Sequence, residues 1–194
     1  MKKSIVILWR NGFGNQLFQY AYGKILSEKN GWELVHNGKG RICAVDLIEF
    51  GMIKDPQDIK RIDSTHDCQL LIDYNKTQAI ELENPHFYSN HLDKVRKLFP
   101  PVPNFNSALV GVEEVFSTAA IRDNEERKKA VSQTTQDFNF IRQFNKILLS
   151  SSTFSWWAAV LSEAEEVYFN NEWQPNHYNG MIKLGETNYP NFKG

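Results

Sequence analysis

Cysteines are scarce in this sequence, and neither has a partner at a redox or metal-binding spacing. Cys43 and Cys68 are the two cysteines among 194 residues, and no Cys-x-x-Cys pair occurs. A disulfide framework and a cysteine zinc site are therefore excluded. Two isolated thiols are typical of a reducing compartment, so we expect a cytoplasmic protein.

Long apolar segments are also missing. No run of about 18 apolar residues occurs, so the sequence predicts no membrane-spanning helix. Behind the basic start Met1–Lys3, the apolar run Ile5–Trp9 gives way at once to polar residues, which is too soon for a signal peptide. A peripheral association with a membrane surface stays open.

The charge is balanced rather than of one sign. Lysine and arginine number 22, aspartate and glutamate number 23, and the net charge is -1. A general attraction to nucleic acid is therefore excluded, and we expect no nucleic-acid partner. His86 and His91 are separated by a spacing that matches neither face of a metal-binding helix, and the other histidines are isolated. We expect no metal site.

What the sequence does contain is a substantial apolar fraction and a strand-turn-helix-strand pattern near its start. Hydrophobic residues make up 41%, which is enough for a sizeable core. Ser4–Trp9 has the β-branched character of a buried strand, and an amphipathic helix is predicted from about Asn15 to Asn30, with Gly31 as its exit. A second strand is expected at Trp32–His36. This order predicts an α/β unit with parallel strands.

Elements beyond this unit are less regular. The proline-rich residues 100–103 are the best domain boundary, which predicts one domain at residues 1–100 and another at residues 104–194. Strands are predicted at Cys68–Tyr74, Ala108–Val112, Lys146–Leu149 and Glu166–Phe169, and helices at His91–Phe99, near Asp123, at Phe138–Phe144 and at Phe154–Ser162.

The first candidate site is the hydroxyl-rich turn that opens the last of these helices. Ser152, Thr153 and Ser155 surround a helix start together with Phe154. Free backbone N–H groups and the positive end of the helix dipole favour an anionic phosphate at such a start. The alternative is an ordinary serine or threonine cap on a buried helix.

The second candidate site follows the first strand. Gly12 and Gly14 allow a tight turn and a close approach of the backbone to a ligand, and Asn15 and Gln16 place amides at the first turn of a helix. The third glycine of a dinucleotide-binding fingerprint is absent. A purely structural strand-to-helix turn is the alternative.

Both segments resemble signatures of one known family. Gly12–Ala21 reads Gly-Phe-Gly-Asn-Gln-Leu-Phe-Gln-Tyr-Ala and is similar to the N-terminal signature of the family 11 glycosyltransferases, the α-1,2-fucosyltransferases. Ser152–Ala159 reads Ser-Thr-Phe-Ser-Trp-Trp-Ala-Ala and is similar to the C-terminal signature of the same family. Both occur in the family's order.

The resemblance implies a GT-B fold, in which two Rossmann-like parallel-sheet units face each other, here with the second unit abbreviated. It implies an acceptor-side domain at residues 1–100 and a nucleotide-sugar-binding domain at residues 104–194. It also implies GDP-fucose as donor, a galactoside hydroxyl of a glycan as acceptor, inversion at the sugar carbon, and no metal or other cofactor. The donor diphosphate would lie near Ser152–Ser155, approached by Gly14 and Asn15 from the facing domain.

The sequence departs from the family at one point. Family members carry a central His-x-Arg-Arg-Gly-Asp segment after the first strand of the second domain, whereas Ala108–Val112 is followed here by Glu113–Phe116. A bidentate arginine clamp on a pyrophosphate is not simply replaced by lysine. Arg10, Arg41 and Arg122 are each more typical of solvated surface residues.

Three functions therefore stay open: an active minimal enzyme, an impaired relative that keeps the fold, and a non-catalytic nucleotide-sugar or glycan-binding module. Asp46, Asp73 and His86 are conceivable general bases, and the sequence does not choose among them. The catalytic residue is therefore left unassigned.

Overall fold

The computed structural model of the chain describes residues 3–9, 12–37, 60–62, 68–73, 79–99, 133–134, 136–149, 152–168 and 192–193. Within these ranges the molecule is a mixed α/β structure with two short parallel sheets. The predicted boundary at 100–103, the strand Ala108–Val112 and the helix near Asp123 lie outside the described residues. The division into two domains and the GT-B arrangement stay predictions.

The described strands are β1 (Ser4–Leu8), β2 (Glu33–Asn37), β3 (Lys60–Ile62), β4 (Leu70–Asp73), β5 (Lys146–Leu148), β6 (Glu166–Tyr168) and β7 (Phe192–Lys193). The described helices are α1 (Phe13–Asn30), α2 (Ala79–Leu82), α3 (Pro85–Ser89), α4 (Leu92–Leu98), α5 (residues 136–141) and α6 (Thr153–Val160).

The first sheet has the order β3-β2-β1-β4, and all its strands are parallel. The chain runs outward from β1 to β2 and β3 and then returns to the other side of β1 with β4. The strand order therefore reverses between β1 and β4, which is where open α/β sheets bind ligands at the carboxyl ends of their strands. The predicted parallel unit of β1, α1 and β2 is confirmed.

Helix α1 is longer at its start than the sequence predicts. It begins at Phe13, so Gly14 lies in the first helical turn and not in the preceding loop. It ends at the predicted exit, where Gly31 has φ 65° and its backbone N–H donates to Ser27. Gly23 lies close to the sheet, because a methyl group there would come within 3.0 Å of Leu34 and 3.1 Å of Ile72. Glycine thus lets the helix pack tightly on the strands.

The second sheet has the order β5-β6-β7 and is also parallel. Helix α6 connects β5 to β6, so these three elements repeat the strand-helix-strand pattern of the first sheet. The predicted strands Lys146–Leu149 and Glu166–Phe169 are confirmed to within one residue at their ends. The predicted helix Phe154–Ser162 is confirmed with a start one residue earlier and an end two residues earlier.

An aromatic cluster joins α1 to α6. The ring of Phe18 lies 5.0 Å from Trp156 and 4.9 Å from Trp157, and Tyr88 contacts both indoles. Phe99 packs on Trp157 at 5.6 Å. Buried residues from both ends of the chain therefore form one continuous core.

Two arginines hold the carboxyl end of α6. Arg96 of α4 donates to the carbonyl oxygens of Val160 and Ser162, and Arg142 donates from two nitrogens to the carbonyl oxygen of Leu161. Burial lowers the pKa of Arg142 to about 10. These bonds satisfy carbonyls that a helix end leaves without partners, and a cation at this end also complements the helix dipole.

Candidate functional site

The helices that carry the two motifs begin side by side. Thr153, the first residue of α6, donates from its hydroxyl to Oδ1 of Asn15 in the first turn of α1, at 2.7 Å. One turn further along, Phe18 of α1 meets Trp156 and Trp157 of α6. The two helices therefore run in the same direction, and their amino ends lie together.

Gly14 makes this close approach feasible. A methyl group at Gly14 would lie 2.6 Å from the backbone nitrogen of Phe154 and 2.6 Å from Oγ1 of Thr153, well inside contact distance. The sequence suggested that this glycine lets the backbone approach a ligand, and in the structure it approaches α6. Gly12 differs, because a methyl group there would meet nothing within 4 Å.

The start of α6 is capped by its own sequence. Oγ of Ser152 accepts from the backbone N–H of Ser155 at 3.1 Å, and the Ser155 hydroxyl donates back to the carbonyl oxygen of Ser152 at 3.0 Å. With Thr153 bonded to Asn15, all three hydroxyls of the motif have protein partners. The capping interpretation of Ser152 is therefore confirmed, and a ligand role for these residues stays a prediction.

The start of α1 is different. Its N-cap is Gly12, which has no side chain to accept from the first backbone N–H groups of the helix. Neither α1 nor α6 has an acidic residue in its first turn. Two adjacent positive helix ends repel each other, and within the described residues no carboxylate of either first turn offsets this. The arrangement favours an anion at the shared start.

Most of the side chains at this junction are buried. Exposure is 8% for Asn15, 0% for Gln16, 9% for Thr153 and 8% for Ser155. Ser152 is exposed, and Gly12 and Phe154 are partly exposed. A ligand would therefore meet Ser152, Gly12 and the ring of Phe154 first, and Asn15 with Thr153 would lie beneath them.

An aromatic triangle closes one side of the junction. The rings of Phe13, Phe138 and Phe154 lie 5.1 to 6.0 Å from one another. Sequence reasoning missed Phe13 and Phe138 as neighbours of the site. Phe138 belongs to a short helix whose position relative to α6 no sequence pattern indicated.

The carboxyl edge of the first sheet lies close by, because Gln19 of α1 reaches it. Its amide donates to the carbonyl oxygen of Leu8 at 2.6 Å and to that of Ile72 at 3.5 Å. The indole of Trp9 donates to Nδ1 of His36 at 3.2 Å, linking the ends of β1 and β2. Asp73 ends β4 and is 2% exposed. Sequence reasoning missed Trp9, Gln19 and His36, although the ends of predicted parallel strands were a usable signal.

Residues 117–190 match the model of glycosyl transferase family 11. No curated protein and no solved structure matches the chain. The family 11 match supports the resemblance and indicates a glycosyltransferase. It includes α6 with the Ser152–Ala159 motif, whereas the Gly12–Ala21 motif lies outside it.

The family 11 match begins after Glu113–Phe116, where the central arginine segment was expected. Those residues are outside both the match and the described ranges, so the absence of that segment stays a prediction. Arg10, Arg41 and Arg122 are likewise not described. The arginines whose side chains are described, Arg96 and Arg142, both bind at the far end of α6.

The part of the chain that the structure describes also bears on the metal, membrane and general-base expectations. No three histidine, cysteine, aspartate or glutamate side chains there are grouped to hold a metal ion. None of the described helices has the length and apolar character needed to cross a membrane. Of the conceivable bases, Asp46 is not described, and His86 lies in α3, where its backbone N–H donates to Asn84.

A pocket of about 600 Å³ lies away from the junction. It is lined by Lys3, Asn30, Gly31, Trp32 and Glu33. These residues surround the carboxyl end of α1 and the amino end of the first sheet, whereas the two motifs meet at the other end of α1. This pocket is therefore separate from the candidate site.

Proposed function

We propose that the protein is a glycosyltransferase of the α-1,2-fucosyltransferase type, which transfers fucose from GDP-fucose to a galactoside hydroxyl with inversion. The family 11 match over residues 117–190 supports the transferase class. Two motifs that are far apart in sequence, and that both resemble this family, meet at one point of the structure. The donor and the acceptor class follow from the resemblance.

The observation that carries the donor proposal is the pair of adjacent helix starts without an acidic residue. A diphosphate placed there would face the backbone N–H groups at the start of α1, whose N-cap Gly12 makes no side-chain bond, and the positive ends of both dipoles. Gly12 leaves space in front of α1, and the exposed Ser152 hydroxyl is still able to donate to a phosphate oxygen. Such fixed donors would also stabilise the negative charge that develops on the leaving diphosphate.

The remaining motif residues would support this site from below. Asn15 and Thr153 hold the two helix starts together, Gln16 is fully buried behind them, and Ser155 closes the cap of α6. Phe154 presents a partly exposed ring beside the helix starts. In this proposal Gly12, Gly14, Asn15 and Gln16 form one wall of the donor site, and the α6 start forms the other.

A second function is favoured by a separate observation. The hydroxyls of the α6 motif all have protein partners, and the described arginine side chains lie at the opposite end of that helix. A non-catalytic nucleotide-sugar or glycan-binding module of the same fold would need no arginine for the leaving group. Under this alternative, the protein binds the nucleotide sugar or the glycan but does not transfer the sugar.

Calorimetry with GDP and with guanosine, together with a transfer assay from GDP-fucose to lactose, separates these functions. We expect GDP to bind, guanosine to bind far more weakly because it lacks the diphosphate, and fucose to be transferred. GDP binding without transfer or donor hydrolysis would favour the binding module. Equal affinities for GDP and guanosine would contradict the phosphate site in both versions.

A further inference from the structure

We propose that the turn between α2 and α3, residues 82–84, is a pH-dependent switch that opens when Glu83 ionises and then loosens the aromatic cluster between α1 and α6. The opening of the turn stands on the described contacts, whereas its effect on donor binding rests on the proposed function. The turn follows α2, a helix of only 4 residues, and precedes α3, whose start is capped by Asn84. Short elements of this kind open at a smaller free-energy cost than the core.

Glu83 is a buried carboxyl group without a partner in the described part of the chain. Its side chain is 6% exposed, and no described residue donates a hydrogen bond to its Oε1. Burial raises the pKa of this carboxyl from 4.5 to about 7, with no contribution from a neighbouring charge. The neutral form is therefore compatible with the closed turn, whereas the carboxylate favours an open turn in which water reaches it.

The ionisable groups on the surrounding helices do not compensate a charge on Glu83. Tyr22 of α1 donates to the Glu81 carboxylate of α2, and burial, together with the charge of Glu81, raises the pKa of Tyr22 to about 12. Helix α6 carries no ionisable side chain. The other ionisable side chains on these elements, none of which shifts the pKa of Glu83, are Tyr20, Lys24, Glu28 and Lys29 of α1 and His86 and Tyr88 of α3.

Tyr88 connects the turn to the aromatic cluster. Its hydroxyl donates to the carbonyl oxygen of Leu82, the residue directly before Glu83. Its ring centroid lies 5.2 Å from that of Phe18 on α1 and 5.3 Å from that of Trp157 on α6. Leu82 and Tyr88 are both fully buried. Movement of the turn towards water would therefore break the bond between them and remove one support of the contact between α1 and α6.

The same two helices carry the proposed donor site at their amino ends. The folded pKa of Glu83 is raised, so the associated stability of the closed turn is complete below about pH 4.5 and is lost as the pH rises through about 7. An open turn would leave fewer molecules with a competent donor site, and the apparent affinity falls with that fraction. The donor should therefore bind more weakly in alkaline than in mildly acidic solution.

Hydrogen exchange of residues 84–91, measured by mass spectrometry and corrected for the intrinsic exchange rate, tests the opening directly. The backbone N–H groups of Phe87 and His91 donate within this segment. In the wild type their protection should be about tenfold lower at about pH 8.5 than at about pH 6, as the two pKa values of Glu83 imply. Glu83→Gln should change by less than about twofold. Glu33→Gln removes an exposed carboxylate elsewhere and should behave like the wild type.

GDP affinity over the same pH interval tests the coupling to the donor site. The wild type should lose up to about tenfold relative to Glu83→Gln, a comparison that cancels the protonation of GDP itself. Tyr88→Phe keeps the ring but lacks the hydroxyl that bonds to Leu82. Its hydrogen exchange should therefore stay dependent on pH, while its GDP affinity should follow pH in the same way as that of Glu83→Gln.

The outcomes separate the switch from the proposed function. Exchange that depends on Glu83 in a protein that binds no GDP at any pH would support the switch and overturn the proposed donor site. Identical pH dependence of exchange in the wild type and Glu83→Gln would overturn the switch, whatever GDP does. Identical pH dependence of GDP affinity in these two proteins would overturn the coupling alone. If Glu83→Gln does not fold, the wild type decides, because protection that is independent of pH also overturns the switch.

Discussion

The two helices that meet at the candidate site begin in opposite ways. Helix α6 begins with Ser152, whose side chain caps it, whereas α1 begins with Gly12, which supplies no cap. The serine motif is the more conspicuous feature of the sequence, yet it is the N-cap of α1 that makes no side-chain hydrogen bond. At α6 the Ser152 side chain accepts from one of the first N–H groups, whereas Gly12 has no side chain that could compete with a ligand at the start of α1.

The largest expected effect tests whether the stability of α6 depends on its packing in the core rather than on its N-terminal cap. Trp157 is fully buried in the aromatic cluster. Trp157→Ala should lower the free energy of unfolding by about 4 kcal/mol, because a large cavity replaces the indole. Urea denaturation measures this. Trp157→Phe is the control and should cost clearly less, since the Trp157 Nε1 has no hydrogen-bond partner within the described residues. Equal losses for both variants would contradict the packing argument.

The pH dependence of the free energy of unfolding is expected to come from Glu83 and not from the two helix starts. Neither helix start has a carboxylate in its first turn, whereas burial raises the pKa of Glu83 from 4.5 to about 7. The folded state therefore binds this proton more tightly, and the associated stability is present below about pH 4.5 and is lost as the pH rises through about 7.

Between about pH 4 and about pH 8, the difference in free energy of unfolding between Glu83→Gln and the wild type should accordingly shift by about 3 kcal/mol in favour of the variant. Urea denaturation at the two pH values gives this number. If the wild type and Glu83→Gln showed the same pH dependence, a group other than Glu83 would be responsible for it. The expectation that the helix starts contribute no pH dependence would then be in question.

The contact between the two helix starts is tested at Gly14, with Gly12 as the matched control. Gly14→Ala should lower the free energy of unfolding by about 2 kcal/mol, because the added methyl group overlaps the backbone of α6. Its GDP affinity should fall as the helices separate. Gly12→Ala has open space and φ −81°, so its effect on stability should be smaller. Comparable losses at both positions would contradict the close packing.

The smallest expected effect concerns the Ser152 hydroxyl. Ser152→Ala should cost about 1 kcal/mol of stability through loss of the cap, and Ser152→Gly only a few tenths. Both variants lack the hydroxyl, so both should bind GDP about tenfold more weakly if that hydroxyl donates to a phosphate. Calorimetry distinguishes the roles, since weaker binding in Ser152→Ala alone would mean that the hydroxyl acts through the cap.

The sequence predicted local elements better than it predicted their contacts. The exit of α1 at Gly31 and the strands around β1, β4 and β6 follow from glycine placement and apolar runs, which act over a few residues. The resemblance correctly brought the two motifs together. It did not indicate that Gly14 packs on Phe154 or that Thr153 bonds to Asn15, because such contacts depend on how two distant helices dock. The hydrogen-bond partners of Gln19 could not be predicted from the sequence for the same reason.

The hydrogen bonds that hold both ends of α6 have a consequence for the energetics of ligand binding. This eight-residue helix is bonded at its first residue to Asn15 and at its carboxyl end to Arg96, and both partners belong to the first half of the chain. A donor arriving at the helix starts would find preorganised walls and would lose little affinity to the ordering of protein groups. Binding of GDP should therefore show only a modest entropic penalty from conformational ordering.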